Sequence, residues 1–109
     1  MDGEQYNLED TEKSNSLVLA YINQEIKRKK DKSTRQAYNT MKSHFNKCFP
    51  KSITFKQLNK REKAKAFYDY LTTKAVKING DKLSTKSANK YFKSLRLVLK
   101  EALLEGYIE

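Results

Sequence analysis

The longest helical pattern in the sequence runs from Leu83 to Gly106, and the chain must fold so that this helix packs along a core. At about 100° per residue, one arc of it is apolar and consists of Ala88, Tyr91, Phe92, Leu95, Val98, Leu99, Ala102 and Leu103. The opposite arc carries cations and amides, namely Lys86, Asn89, Lys90, Lys93, Arg96 and Lys100. Surface helices usually mix charge signs to gain pairs four residues apart, so a stripe of one sign indicates an anionic partner. Our working hypothesis is that this helix lies on DNA.

A strong excess of positive charge accompanies the stripe. The 109-residue chain has a formal net charge of +10 at pH 7, although five of its 13 acidic residues fall within residues 1–12. From Lys13 onward, 23 basic residues less eight acidic ones give +15. Such an excess weakens folding by self-repulsion and favours a polyanionic partner, nucleic acid ahead of a membrane surface. A basic protein without such a partner is the alternative.

Chain length and cysteine content limit the architecture. A chain of 109 residues forms one ordinary domain, and its one cysteine, Cys48, excludes an internal disulfide. We interpret residues 1–13 as a flexible acidic lead and residues 14–109 as one helical domain. The N-terminus lacks the features of a signal peptide, and no stretch approaches the length of a membrane span. We therefore expect a cytoplasmic protein with no membrane partner.

The first predicted helix begins after Ser14 or Ser16, either of which can cap it. It ends in the basic run Lys27–Lys30, which either complements the helix dipole in solvent or contacts phosphate. Its inward side chains are Leu17, Val18, Tyr21, Ile22 and Ile26.

A second helix follows a short connector made by Asp31 and Lys32. Ser33 or Thr34 opens this helix, and Pro50 stops it. The inward side chains are Ala37, Tyr38, Met41, Phe45 and Cys48. The outward row is Arg35, Asn39, Lys42 and Asn46. Cations and amides are the side chains that reach phosphates and base edges, so this row is a second candidate DNA contact.

Residues 51–82 connect these helices to the long one. Residues 51–59 form an extended piece and one helical turn, anchored by Ile53, Phe55 and Leu58. Asn59 then caps a third helix over about Lys60–Ala75, whose apolar set is Ala64, Phe67, Tyr68, Leu71 and Ala75. Asn79-Gly80-Asp81 indicates a turn, so residues 76–82 are either a loop or a small two-stranded excursion. Ser84 and Thr85 cap the long helix, and Gly106 ends it.

The residue set does not support catalysis by this chain alone. His44 and Cys48 are four residues apart, a spacing at which two side chains could share a metal, but they are the only His and the only Cys. We therefore interpret Cys48 as a small core residue and His44 as a residue at the core boundary. A single histidine gives no Ser-His-Asp arrangement, and three glycines form no phosphate-binding loop. We expect no cofactor and no metal.

Several short motifs together resemble a known family. In order, they are Ser33-Thr34-x-x-x-Tyr38, Ile53-Thr54-Phe55, Phe67-x-x-Tyr70-Leu71, Leu83-Ser84-x-x-Ser87-x-Asn89-x-Tyr91 with Leu95 and Leu99, and Glu105-Gly106-Tyr107-Ile108. Their order and spacing over about residues 14–109 resemble the SAM-like core-binding domain of tyrosine recombinases, the phage-type integrases. Four predicted helices already indicate an all-α domain, and the resemblance implies a compact four-helix orthogonal bundle.

The resemblance also implies a partner domain and a function. In this family, the helical domain and a C-terminal catalytic domain clamp opposite sides of duplex DNA, together with other recombinase protomers. The catalytic residues belong to that second domain, which would follow Glu109, so Tyr107 is not the nucleophile. The expected setting is the cytoplasm of a bacterium or the host of a mobile element, on nucleoid DNA. Residues 76–82 are longer than we expect for the family.

The second and fourth helices are the ones that approach DNA in the family. The resemblance therefore implies DNA contacts by Lys32, Thr34, Arg35, Asn39, Lys42, Thr85, Lys86, Asn89, Lys90, Lys93 and Arg96. Leu97 lies within the basic stripe, where it either touches a thymine methyl or packs against the catalytic domain. Two alternatives remain: a helical transcription factor or RNA-binding module, and a basic domain that docks an acidic protein.

Overall fold

Five helices are bounded within residues 13–108, the part of the chain that this computed structural model describes. They are α1 (Val18–Arg28), α2 (Lys32–Cys48), α3 (Phe55–Leu58), α4 (Arg61–Thr73) and α5 (Thr85–Leu104). Within that range, β-pairing is limited to two isolated antiparallel bridges. The predicted all-α class is confirmed, and α3 is the predicted single helical turn. The predicted acidic lead lies outside the described residues except for Lys13.

The long helix α5 lies at the centre of the bundle, where it packs against α1, α2 and α4. Four residues of its predicted apolar arc are buried, namely Ala88, Leu95, Val98 and Ala102, and Tyr91, Phe92 and Leu99 pack partly buried against the core. The prediction for Leu103 was wrong, because half of this residue is exposed. The buried arc is centred closer to Ser94, which is 5% exposed and donates its hydroxyl to the Lys90 carbonyl at 3.1 Å. Leu103 lies about 180° around the helix from Ser94.

An aromatic cluster joins α2 to α4 inside the bundle. The ring of Phe45 lies 5.0 Å from that of Phe49 and 5.9 Å from that of Phe67, measured between centroids. All three residues are buried, and offset or edge-on aromatic contacts of this kind add to the stabilisation that burial supplies. Phe49 lies just beyond α2 and was not among the predicted inward residues.

The first helix begins without a side-chain cap, so the prediction of Ser14 or Ser16 as its cap was wrong. The N-cap residue is Leu17, and the Val18 amide donates to the Ile53 carbonyl at 3.1 Å. Leu17 also forms an antiparallel bridge with Thr54 and is 44% exposed rather than inward. Backbone pairing between distant segments thus satisfies the helix start.

The second helix begins earlier than predicted, because Asp31 and not Ser33 or Thr34 is its cap. The Asp31 carboxylate accepts hydrogen bonds from the Thr34 amide at 2.8 Å and from the Thr34 hydroxyl at 3.0 Å. These bonds lower the pKa of Asp31. Lys32 is therefore the first residue of α2 and not part of a connector.

The predicted cap of the third long helix was also wrong. Thr54 and Gln57 form a reciprocal capping box at the start of α3. The backbone amide of Asn59 donates to the Phe55 carbonyl, so Asn59 is the C-cap of α3. The N-cap of α4 is Lys60, without a side-chain cap bond, and the helix ends at Thr73 instead of Ala75.

The predicted cap Ser84 and the predicted end at Gly106 are confirmed for α5, whereas Thr85, the other predicted cap, is the first residue of the helix. Ser84 accepts the Ser87 amide at 3.1 Å, and Gly106 adopts φ +89°, a left-handed conformation that glycine favours. The Gly106 amide donates to Leu103, and the Tyr107 amide donates to Ala102. This Schellman turn folds Tyr107 back onto the core.

Residues 76–82 form a tight turn closed by one antiparallel bridge. Val76 pairs with Lys82, and Gly80 has φ +90°. Of the two predicted alternatives, the structure therefore has a minimal two-stranded excursion. Ile78, in the turn, is fully exposed.

A polar network ties α1 to the end of α5. Glu105 accepts hydrogen bonds from Arg28 and from the Tyr21 hydroxyl, both at 2.7 Å, and these bonds lower its pKa. The Lys13 ammonium donates to the Glu105 carbonyl at 2.8 Å. Arg28 also pairs with Glu25, a buried carboxylate at 3.0 Å. We call these contacts the Glu105 clasp; they give one residue of the predicted Lys27–Lys30 run a structural role.

The single histidine should make stability depend on pH. His44 is buried, which lowers its pKa, and Lys47 adds to this effect. Its Nδ1 atom has no hydrogen-bond partner among the described residues. The unfolded chain therefore binds a proton more readily, so stability should be complete above about pH 6.5 and fall below it. The slope of the unfolding free energy should not exceed about 1.4 kcal/mol per pH unit.

Chemical denaturation of the protein at pH values between about 5.5 and 7.5 measures this slope. A His44→Gln variant is the control, because it removes this imidazole and leaves the other titratable groups in place. An equal slope in the variant and the natural sequence would contradict the assignment.

Candidate nucleic-acid interface

The six residues predicted to contact DNA from α5 are all exposed. They are Thr85, Lys86, Asn89, Lys90, Lys93 and Arg96. They lie opposite the buried arc, because the buried side chains of α5 pack inward against α1, α2 and α4; these are Ala88, Ser94, Leu95, Val98 and Ala102. The helix thus presents a continuous polar face, cationic over most of its length.

The five predicted residues of α2 divide into two groups. Lys32, Arg35 and Asn39 are exposed. Thr34 is partly buried and has both its amide and its hydroxyl bonded to Asp31. Lys42 is partly buried and donates its ammonium to the Asn23 side chain of α1 at 2.9 Å. The structure therefore leaves the first group open to a ligand and engages the second within the domain.

A polar groove brings α2 and α5 together on one surface. It has a volume of about 510 Å³ and contains both Asn39 and Lys90 among its walls. Its full lining is Ser33, Gln36, Ala37, Asn39, Thr40, Lys90 and Tyr91. Predicted contact residues from two helices distant in sequence therefore border one depression.

A second groove follows the outward face of α5 on the side of α4. Its volume is about 420 Å³, and its lining is Asn89, Phe92, Lys93, Arg96, Leu97 and Lys100. Leu97 is 42% exposed here, an apolar side chain among cations. The Asn89 side-chain oxygen accepts the Tyr68 hydroxyl at 3.0 Å, which connects this groove to α4.

The turn after α4 borders the same surface. Asn39 lines a wider groove of about 750 Å³ that also contains Val76, Ile78 and Asn79. The segment that is longer than we expected thus lies beside α2, next to the candidate interface.

Within residues 13–108, the cations of this surface have no acidic partner. Among residues 13–108, both ion pairs belong to Arg28, in the Glu105 clasp at the far end of α5. The positive potential of α2 and α5 is therefore not neutralised within the described part of the chain. Such a surface attracts polyanions over long distances, with a strong dependence on salt.

Comparison with protein-family models finds a match of residues 17–109 to the phage integrase SAM-like domain. The chain belongs to the phage integrase SAM-like domain family. The resemblance read from the sequence motifs is confirmed, and the match spans every helix from α1 to α5. The matched region is the SAM-like part of phage integrases and not their catalytic domain. Comparisons with curated proteins and with solved structures find no significant match.

Metal binding, thiol chemistry and membrane crossing find little support among the described residues of this SAM-like domain. Among the described residues, no three His, Cys, Asp or Glu side chains are grouped closely enough to hold a metal. Burial raises the pKa of the Cys48 thiol, and the neighbouring His44 is buried rather than at the core boundary. No helix within residues 13–108 has the length and apolar character that crossing a membrane requires.

Sequence reasoning missed three residues of the SAM-like domain's candidate interface. Gln36 and Thr40 line the groove between α2 and α5. Gln36 lies three residues before Asn39 and Thr40 lies four residues after Gln36, spacings that place neighbours on one helix surface and could have revealed both. Tyr68 was assigned to the core, but it is only partly buried: its ring packs against Phe92 and its hydroxyl reaches Asn89. No local pattern indicates that contact, because it joins α4 to α5.

Proposed function

We propose that this SAM-like domain binds duplex DNA as part of a site-specific tyrosine recombinase, the class of enzyme that carries out DNA integration and recombination. In this proposal, the domain positions the crossover site for a C-terminal catalytic domain and performs no catalysis itself. Membership of the phage integrase SAM-like domain family supports the class of enzyme.

One observation carries the DNA-binding part of the proposal. Exposed cations and amides of α2 and α5 share one surface, and Asn39 and Lys90 border the same groove. Carboxylates of the described chain do not pair with these cations. Cations on such a surface can neutralise the phosphates of a DNA backbone when the two bind.

The residue types divide the proposed contacts by role. Lysine and arginine side chains contact phosphates and hold the duplex in place, and amides can read base edges. The proposed phosphate contacts are Lys32, Arg35, Lys86, Lys90, Lys93 and Arg96. The proposed candidates for base contacts are Asn39 and Asn89. Thr34, Lys42 and Thr85 stay predicted contacts; the first two would have to exchange internal hydrogen bonds for DNA.

The proposed partners follow from this role. They are double-stranded DNA, the protein's own catalytic domain and other recombinase protomers on the same site. A protein with this function works where bacterial or phage DNA lies, in the cytoplasm and on the nucleoid when bound.

Removing one phosphate contact should weaken binding to all duplexes alike. For Lys90→Ala we expect an affinity loss of roughly 10-fold, because a charge-assisted hydrogen bond is lost. The slope of log affinity against log salt concentration should become shallower by about 0.9. Fluorescence anisotropy with labelled duplexes between about 50 and 200 mM salt measures both quantities.

Lys56→Ala is the matched control, since this exposed lysine lies on α3, whose Phe55 packs against Tyr107 beyond the far end of α5. Binding that ignores salt, or no binding at the lowest salt, would refute the proposed function. A structured RNA that competes better than duplex DNA would favour an RNA-binding module instead.

A further inference from the structure

Tyr68 on α4 contacts Asn89 on α5 at the edge of the outward face of α5. The Tyr68 hydroxyl lies 3.0 Å from the side-chain oxygen of Asn89. The Tyr68 ring packs edge-on against Phe92, with centroids 5.2 Å apart and an interplanar angle of 75°. Packing therefore fixes the ring, and the polar tip of the tyrosine is left at the surface beside Asn89.

This contact determines which half of the Asn89 side chain remains for a ligand. An asparagine offers one carbonyl oxygen, which accepts, and one NH₂ group, which donates two hydrogen bonds. The carbonyl oxygen of Asn89 already accepts the Tyr68 hydroxyl. The NH₂ group is the part of this exposed side chain that the contact leaves fully open, whereas the oxygen keeps one lone pair and has its direction set by Tyr68.

We propose that Tyr68 is a positioning residue that holds Asn89 as a hydrogen-bond donor toward DNA. This inference rests on the proposed function and deepens it by assigning the chemistry that Asn89 recognises. An NH₂ group pairs with acceptors such as phosphate oxygens, the O6 and N7 atoms of guanine and the O4 atom of thymine. Adenine offers a donor beside an acceptor, and its paired recognition needs both halves of an asparagine. Because Tyr68 fixes the Asn89 oxygen and occupies one of its two lone pairs, it disfavours this paired recognition of adenine at the position that Asn89 faces.

The neighbours of Asn89 make such selection effective. Lys93 and Arg96 line the same groove and would anchor the backbone on either side of the contacted position. A tethered asparagine also loses less rotational freedom on binding than a free one, because its orientation is already set.

The test compares four proteins: the natural sequence, Tyr68→Phe, Asn89→Ala and the double variant. Tyr68→Phe removes one oxygen atom and keeps the ring against Phe92, so the domain should fold normally. Each protein is bound to a randomised duplex library, and the bound fraction is sequenced to give relative affinities at every position.

If Asn89 faces a base, Tyr68→Phe should raise the affinity for adenine relative to guanine or thymine at that position by roughly 5-fold or more. If Asn89 faces a phosphate, Tyr68→Phe should weaken all duplexes alike by about 3-fold. In either case, the substitution should have no further effect in the Asn89→Ala background.

Tyr70→Phe is the matched control, because it removes a hydroxyl two residues along the same helix, about 200° around it. An effect of Tyr68→Phe that is absent, or equal with and without Asn89, would overturn the inference. A base contact with unchanged discrimination against adenine would overturn it as well. If the natural sequence binds duplex DNA in a salt-dependent way and Lys90→Ala weakens that binding, the proposed function stands even if Tyr68 has no role. If the natural sequence does not bind duplex DNA, both the proposed function and this inference are rejected.

Discussion

Reversing the charges of Arg35 on α2 and Lys93 on α5 together is expected to reduce affinity for duplex DNA by roughly 1000-fold. Each residue alone should contribute about 30-fold, within the range for charge-assisted hydrogen bonds. The two positions lie on different helices without a shared partner, so their effects should add. Additive losses are expected only if both helices face the same duplex. The salt slope of the double variant should fall by about 2.

The control for this experiment changes the charge by the same amount elsewhere. Lys51→Glu with Lys56→Glu alters two exposed lysines in and before α3. Their loss of affinity should be small, because long-range attraction is screened over about 10 Å at 0.1 M salt. Equal losses of affinity in both double variants would mean that net charge alone drives binding. That result would contradict a DNA-binding surface formed by α2 and α5.

Leu95→Ala is expected to lower the free energy of unfolding by about 3 kcal/mol, whereas Leu103→Ala should change it by less than about 0.5 kcal/mol. The two leucines share one helix and one predicted apolar arc, yet Leu95 is 2% exposed and Leu103 is 50% exposed. Truncating the first leaves a cavity in the core, and truncating the second removes atoms largely in contact with solvent.

Equilibrium denaturation with urea measures both changes in unfolding free energy, provided that the slope of the transition stays constant. The pair is its own control, because helix propensity changes equally when a leucine becomes alanine at either site. A loss at Leu103 comparable to that at Leu95 would mean that α5 is rotated relative to its position in the structure.

Helix number and order could be predicted from the sequence because the 3.6-residue period of apolar residues is strong in four segments. The start of α5 could be predicted because its cap, Ser84, is local and directly precedes the apolar pattern. The start of α1 could not, because the Ile53 carbonyl that accepts the Val18 amide is 35 positions away in the chain. The rotation of α5 about its axis could not be predicted either, because Ser94 is a polar residue and yet is buried. Its hydroxyl is satisfied by a hydrogen bond to the backbone of its own helix.

The outward faces of α2 and α5 were predictable for the same reason as the core, since whatever is not apolar at helical spacing faces solvent. What the period cannot indicate is whether an outward polar side chain has a partner. Lys42 bonds to Asn23 and Asn89 bonds to Tyr68, each across two helices. Polar side chains can reach a neighbouring helix, and only the packed structure shows which partner they bind there.

The Glu105 clasp has a consequence for how the domain is connected. Lys13, close to the start of the described chain, touches Glu105, three residues from its end. Lys13 and Glu105 therefore lie at one corner of the bundle, about 30 Å along α5 from Thr85. A domain whose ends meet can be inserted into a loop of another protein or permuted circularly without unfolding. Cargo attached directly before Lys13 would sit at that corner, away from the first turns of α5.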